Sequence, residues 1–97
     1  MIEFAIFVTV RLARGRGEAF LHHALDNARA ALRDEPDCHE FRVMTAQGDA
    51  DTFHFFEAYS DAAALESHRE TPHYKTFRAA TDDMVVERTI RRLDVLA

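Results

Sequence analysis

The chain has 97 residues, 47% of them hydrophobic and 30% charged, and a formal net charge of −5. That length predicts one domain over residues 1–97, with a thin core burying roughly two thirds of the unfolded surface. The acidic balance argues against nucleic acid, which needs a basic footprint; no apolar run approaches the roughly 20 residues of a membrane span; and the lone Cys38 excludes an internal disulfide and suits a reducing cytoplasm.

Residues 2–12, "IEFAIFVTVRL", place Ile2, Phe4, Ile6, Val8, Val10 and Leu12 on one face at period two, which predicts a first strand. Phe7 makes its other face partly apolar. Two glycines in "ARGRGE" break the strand. From Glu18 to about Asp34, Leu21, Leu25, Ala28 and Leu32 recur at helical spacing, flanked by Phe20, Ala24 and Ala31. Pro36 ends that helix, because it disfavours helical geometry at Glu35 and lacks an N–H. Residues 38–46 alternate weakly as a second strand, "QGDAD" reads as a turn, and residues 52–59 form an aromatic third strand. On that strand Phe53, Phe55, Glu57 and Tyr59 share one face, opposite His54, Phe56 and Ala58. Ser60 or Asp61 caps a short helix in "SDAAALESH". Thr71 caps another, with Pro72 at its first position and Tyr74 and Phe77 on one side. Residues 86–96 close the chain as a fourth strand.

The order β-α-β-β-α-β, with its second helical region broken in two, is the α+β ferredoxin-like order: a four-stranded antiparallel sheet with helices on one face. The apolar residues on the open face predict a two-fold contact with a second copy, hence a homodimer.

The chemistry-bearing residues gather near the third strand's exit. If the helices cover Glu57, its carboxyl must be paired or protonated. His68 and His73 would point about 140° apart on one continuous helix, but the break at "ETP" lets both face one cavity. His73, at the second position of its helix, is expected to stay neutral, since a helix N-terminus disfavours imidazolium. The competing view makes these groups the polar rim of a small core, with Glu57 paired to an arginine. No metal is expected, because His54, His68 and His73 lack zinc-ligand spacing and there is no second cysteine. Nucleotide-binding glycine motifs and a Ser-centred elbow are absent. The clusters Arg14–Arg16 and Arg91–Arg92 either hold one anionic group or are solvated surface charge.

The segment "FHFFEAYSDAAALESHRETPHYKTF" resembles the strand–helix signature of the antibiotic biosynthesis monooxygenase superfamily: a strand carboxylate, an aromatic two positions on, a short Leu-containing helix, then His, then Thr-Pro-His. "RDEPDCHEFRV" resembles that family's Glu-Pro-Gly turn, with Asp37 in place of the usual Gly. The resemblance implies a dimeric α+β barrel and a pocket between sheet and helices in each protomer. It is nearest to the quinol monooxygenases and the phosphorylated autoinducer-2 isomerase branch. It implies no bound cofactor. Haem degradation is disfavoured, because there is no Trp and the only Asn, Asn27, lies on the first helix.

Three functions follow as expectations. The first is a cofactor-free monooxygenase: His68 or His73 deprotonates a small phenol or quinol, which then reacts with O₂. Tyr59 orients the substrate oxygen, Glu57 holds an imidazole in one tautomer, and Phe55, Tyr74 and Phe77 line the substrate site. The second is an isomerase of a small phosphorylated hydroxy-dione, with an arginine or Lys75 on the phosphate. The third is a non-catalytic dimeric module that binds an apolar ligand.

Overall fold

The computed structural model describes residues 1–97. Its elements are β1 (Phe4–Leu12), α1 (Gly17–Asp34), β2 (Cys38–Ala46), β3 (Asp49–Tyr59), α2 (Ala62–Arg69), α3 (Pro72–Thr81), a 3₁₀ turn (Asp82–Met84) and β4 (Val85–Asp94). The strands form one antiparallel sheet in the order β2-β3-β1-β4, which is the ferredoxin-like α+β fold. No helix is long and apolar enough to cross a membrane.

Register places the alternating residues. Phe4, Ile6, Val8 and Val10 of β1 stand opposite Tyr59, Glu57, Phe55 and Phe53 of β3. These residues share the face on which the helices pack, because successive side chains alternate across a strand. All eight are buried. Phe20 of α1 is fully enclosed, with its ring 5.0 Å from Phe53, 6.0 Å from Phe55 and 5.7 Å from Phe77.

The buried stripe of α1 centres on Phe20, Ala24, Ala28 and Ala31, while Leu32 is exposed and Leu21 lies at the core's margin. The expected leucine stripe is therefore rotated. Small side chains bring the helix axis close to the sheet, and the leucines flank the contact instead of filling it. Strand β3 starts at Asp49, three residues before the expected 52, so only Gln47 and Gly48 form the turn. Gly48 has φ +80°, which glycine adopts without a Cβ penalty.

Two anchors fix the loops beside the helices. Asp51 of β3 caps the start of α1: the backbone N–H groups of Gly15 and Gly17 donate to its carboxylate, both at 3.0 Å. Asp37 holds the β3–α2 corner, with its Oδ1 accepting from the Ser60 hydroxyl at 2.9 Å and its carbonyl accepting from the Ser60 N–H at 2.9 Å. No non-glycine residue has positive φ, so Asp37 holds this corner without left-handed backbone.

Of the three glycines, Gly17 alone is closely packed against neighbouring backbone. A Cβ there would lie 2.0 Å from the Ala50 carbonyl oxygen. Gly17→Ala is expected to destabilise the protein by about 1–3 kcal/mol through overpacking. Urea denaturation checks this; an unchanged midpoint would show that the α1–β3 contact relaxes freely.

Candidate functional site

Glu35 sits at the C-cap of α1 in extended geometry, φ −103° and ψ 107°. The following proline enforces this conformation, and it directs the side chain back towards the other helices. His68 lies in the last turn of α2. The Thr71 hydroxyl donates to the His68 carbonyl at 2.6 Å and accepts from the Tyr74 N–H at 3.2 Å, so it stops one helix and caps the next. Pro72 opens α3, and His73 follows.

This corner brings both imidazoles to one carboxylate oxygen. His68 Nδ1 lies 2.7 Å from Glu35 Oε2, and His73 Nε2 lies 2.5 Å from the same atom. A carboxylate only accepts, so both ring nitrogens donate. That fixes the His68 proton on Nδ1 and leaves Nε2 with its lone pair. Burial pushes the His68 pKa below the ordinary histidine value; the Glu35 hydrogen bond and charge oppose this but are the smaller influence. A buried, neutral imidazole with one nitrogen tethered to a carboxylate is the form a general base requires.

Glu57 is buried beside this corner, 5% exposed, and accepts a 2.6 Å hydrogen bond from the Tyr59 hydroxyl. Burial raises its pKa to about 7, against the lowering effects of that hydrogen bond and of Arg69. Tyr59 is fully enclosed, and its own pKa is raised, first by burial and then by the Glu57 charge. The expected division of labour is thus redrawn. Glu35, not Glu57, holds an imidazole in one tautomer. Tyr59 stands behind Glu57 and bonds to it, where the sequence suggested contact with substrate. Nor does Glu57 form an ion pair with an arginine.

A cavity of about 260 Å³ opens between the sheet and the α2–α3 corner. Phe55, Leu65, Phe77 and Ile90 supply apolar wall, and His68, Glu57 and Tyr74 present polar edges to it. Phe55, Tyr74 and Phe77 therefore border the same space as His68 and Glu57, whereas His73 and Tyr59 do not reach it. Sequence reasoning missed Glu35, Asn27, Arg69, Arg78 and Arg88; the last four also line the cavity. Lys75, considered for a phosphate, is exposed and pairs with Glu70 at 3.4 Å. Cys38 is buried, and its thiol is pushed up to about 12, chiefly by burial, so no thiolate nucleophile forms there near neutrality.

One atom from each of Glu35, His68 and His73 also forms a set within 4.8 Å of one another, two imidazoles and a carboxylate of the kind metals take. The sequence pattern did not suggest it, because Glu35 is remote along the chain. As placed, the two ring nitrogens hydrogen-bond to Glu35 Oε2.

A ferredoxin-like domain with an aromatic-walled cavity between its layers, and a tethered imidazole at the cavity edge, defines a small-molecule-binding α+β module. The family profile described as antibiotic biosynthesis monooxygenase matches residues 3–80, and the chain belongs to that family. Among solved structures, a candidate antibiotic biosynthesis monooxygenase from Nitrosomonas europaea is similar at 26% identity and TM-score 0.92, over 97% of this chain and 99% of that one. A Pseudomonas aeruginosa protein is similar at 26% identity and TM-score 0.89, over 100% of this chain and 97% of that one. A Caulobacter crescentus structure at 21% identity and TM-score 0.91, over 99% of this chain and 92% of that one, shares the fold. No curated protein matches the sequence.

The Glu57 carboxyl yields a pH signature. In the native protein it keeps its proton to about pH 7, while the unfolded chain releases it near the ordinary value of 4.5. Between those values the native state binds more protons, so stability falls as pH rises and levels off above about 7. Glu57→Gln retains an acceptor for Tyr59 but never ionises. Relative to that variant, wild type is expected to lose on the order of 3 kcal/mol across the window. Urea denaturation of both proteins at a series of pH values measures the difference; a pH-independent difference would mean that Glu57 stays ionised when folded.

Proposed function

We propose that the protein is a cofactor-independent monooxygenase that oxidises a small phenol or quinol with O₂. The observation that carries this is the Glu35–His68 pair: a buried imidazole with Nδ1 spent on Glu35 and its ring at the edge of an apolar cavity. In this scheme His68 Nε2 takes the phenolic proton. The phenolate gives up electrons to O₂ far more readily than the phenol does, and the aromatic wall keeps water from competing for the anion. The net change for a phenol is substrate plus O₂ to quinone plus water. Glu57, whose carboxyl titrates near 7, exchanges a proton with the oxygen intermediates; Tyr59 orients it. His73 acts through Glu35, holding that carboxylate in line with His68.

An isomerase is the second reading, favoured by the arginines in the cavity. The same His68 and Glu57 would move a proton between neighbouring carbons through an enediol, and no O₂ would be consumed. A third, non-catalytic reading leaves the cavity as a ligand store.

Assembly follows from the sheet's open face. Phe7 and Phe56 border a shallow depression there with Leu93, which is 39% exposed. Packing this face against a second copy would bury it in a homodimer. Light scattering is expected to return twice the 11.1 kDa chain mass; a monomer at micromolar concentration would remove the dimer from the scheme.

Activity is tested by O₂ uptake with a panel of phenols and quinols, using metal-stripped protein. His68→Ala is expected to lower kcat about 10²–10⁴-fold. Glu35→Gln is expected to cost less and to move the acidic limb of the pH profile to lower pH, because Glu35 raises the His68 pKa. Turnover without O₂ would favour the isomerase. No reaction in either condition, with ligand affinity altered in the His68→Ala, His73→Ala double variant, would favour the ligand store.

A further inference from the structure

The cavity has a second polar end that the deprotonation scheme does not use. Register pairs Arg88 of β4 with Val10 and Ile90 with Val8, so Arg88 points to the helix-covered side of the sheet. Arg78 of α3 meets it there, and both line the cavity. Two guanidinium groups share one carboxylate. Asp82 Oδ1 accepts from Arg78 Nε at 2.7 Å, while Arg88 Nη2 stays 3.8 Å from that same oxygen. Arg88 Nη2 is buried and makes no hydrogen bond. The Tyr74 hydroxyl takes up Arg78 Nη1 at 2.6 Å and offers Arg88 nothing.

A second orphan lines the same cavity. Asn27 is 3% exposed, and its Oδ1 is buried without a partner. Buried polar atoms are nearly always satisfied, and leaving one unsatisfied costs about 1–3 kcal/mol. These two are the buried side-chain polar atoms of the chain without a partner, and both belong to residues lining one cavity. Their chemistry is complementary to one kind of head group: an anionic oxygen for the guanidinium, and a neighbouring hydroxyl or N–H for the amide oxygen.

We propose that this end of the cavity is an anion subsite, in which Arg88, supported by Arg78, binds a carboxylate or phosphate on the substrate and Asn27 accepts from an adjoining hydroxyl. The inference deepens the function proposed above and rests on the same cavity. Its volume of about 260 Å³ lies just under the range that holds drug-sized ligands, which limits the substrate to one ring or a short chain. The substrate class is then a small phenol or enol bearing an acidic group, oriented with its anion on Arg88 and its acidic hydroxyl towards His68. Arginine suits this role because its planar fork bonds both oxygens of a carboxylate or phosphate.

Calorimetric titration of the full chain with benzoate, phenyl phosphate and the neutral benzamide tests this without requiring turnover. At least one anion is expected to bind ten-fold or more tightly than benzamide, and the tighter of the two tells carboxylate from phosphate. In Arg88→Gln the anion-to-neutral ratio is expected to fall to about one, with circular dichroism confirming the fold. If that variant does not fold, the wild-type Arg88 Nε–H resonance serves in its place and is expected to shift on addition of the tighter anion. Equal affinity for benzamide and both anions, a preference that survives Arg88→Gln, or an Arg88 resonance that stays still would overturn the subsite. These outcomes are separate from those of the oxygen-uptake assay: an anion preference in a protein that consumes no O₂ rejects the monooxygenase but keeps the subsite, and quinol oxidation without anion preference does the reverse.

Discussion

The Glu35 carboxylate is the point on which the site depends. It lies at the end of α1 and receives one hydrogen bond from the end of α2 and another from the start of α3. Three helices are thus tied together at one oxygen. Hydrogen bonds to an ionised acceptor are stronger than neutral ones, and partial burial reduces their competition with water. The bond fixes the tautomer of His68 and the angle of the α2–α3 corner at once. Without it, a buried imidazole would lack a defined proton position, and the break after α2 would lose its tie to α1.

The second constraint is the placing of a carboxyl group within an apolar strand face. Glu57 has Phe53, Phe55 and Tyr59 as same-face neighbours and Ile6 across the ladder. Its only hydrogen bond runs to Tyr59, which offsets a fraction of the desolvation cost and leaves the group titrating near neutrality. A core optimised for stability alone would carry leucine here. The protein keeps a destabilising group in the wall of its cavity, the pattern expected of functional positions in a small fold.

Much of the layout was legible in the chain. Period-two alternation put Phe53, Phe55, Glu57 and Tyr59 on one face, and Thr71-Pro72 marked the start of α3, because both signals are local. Glu35 was hidden for the opposite reason: 33 and 38 residues separate it from its two histidines, and no spacing rule links positions joined only by tertiary folding. Pro36 did reveal the extended backbone at Glu35, though not where the side chain would reach. Arg78 was accessible in principle, four residues after Tyr74 on one helix face. Arg88 was concealed by the mixed alternation of β4, where apolar and charged residues interleave on both sides. In α1, leucines drew the eye to a stripe that packing assigned to phenylalanine and alanine, since close approach to a sheet rewards small residues over hydrophobic ones.

The cavity itself arises from a shortage of cover. Helix α1 lies against β2 and β3, and the broken α2–α3 pair bends to meet α1, so the helical layer thins over the β4 edge. Ile90, on the helix-facing side of that edge strand opposite Val8, remains 44% exposed. Longer side chains along α3, or an unbroken helix in place of the α2–α3 corner, would improve burial and close the space. The Pro72 break therefore does two things with one backbone event. It turns His68 and His73 onto Glu35, and it leaves the α2–α3 corner bordering the cavity that Glu57 and Arg88 also line. The cavity lining thus carries His68 and Glu57 on one hand and, on the other, Arg78 and Arg88, which share the single Asp82 carboxylate. On the subsite proposed above, a molecule carrying an acidic group would be held in a single orientation, whereas a neutral, symmetrical one could sit either way round.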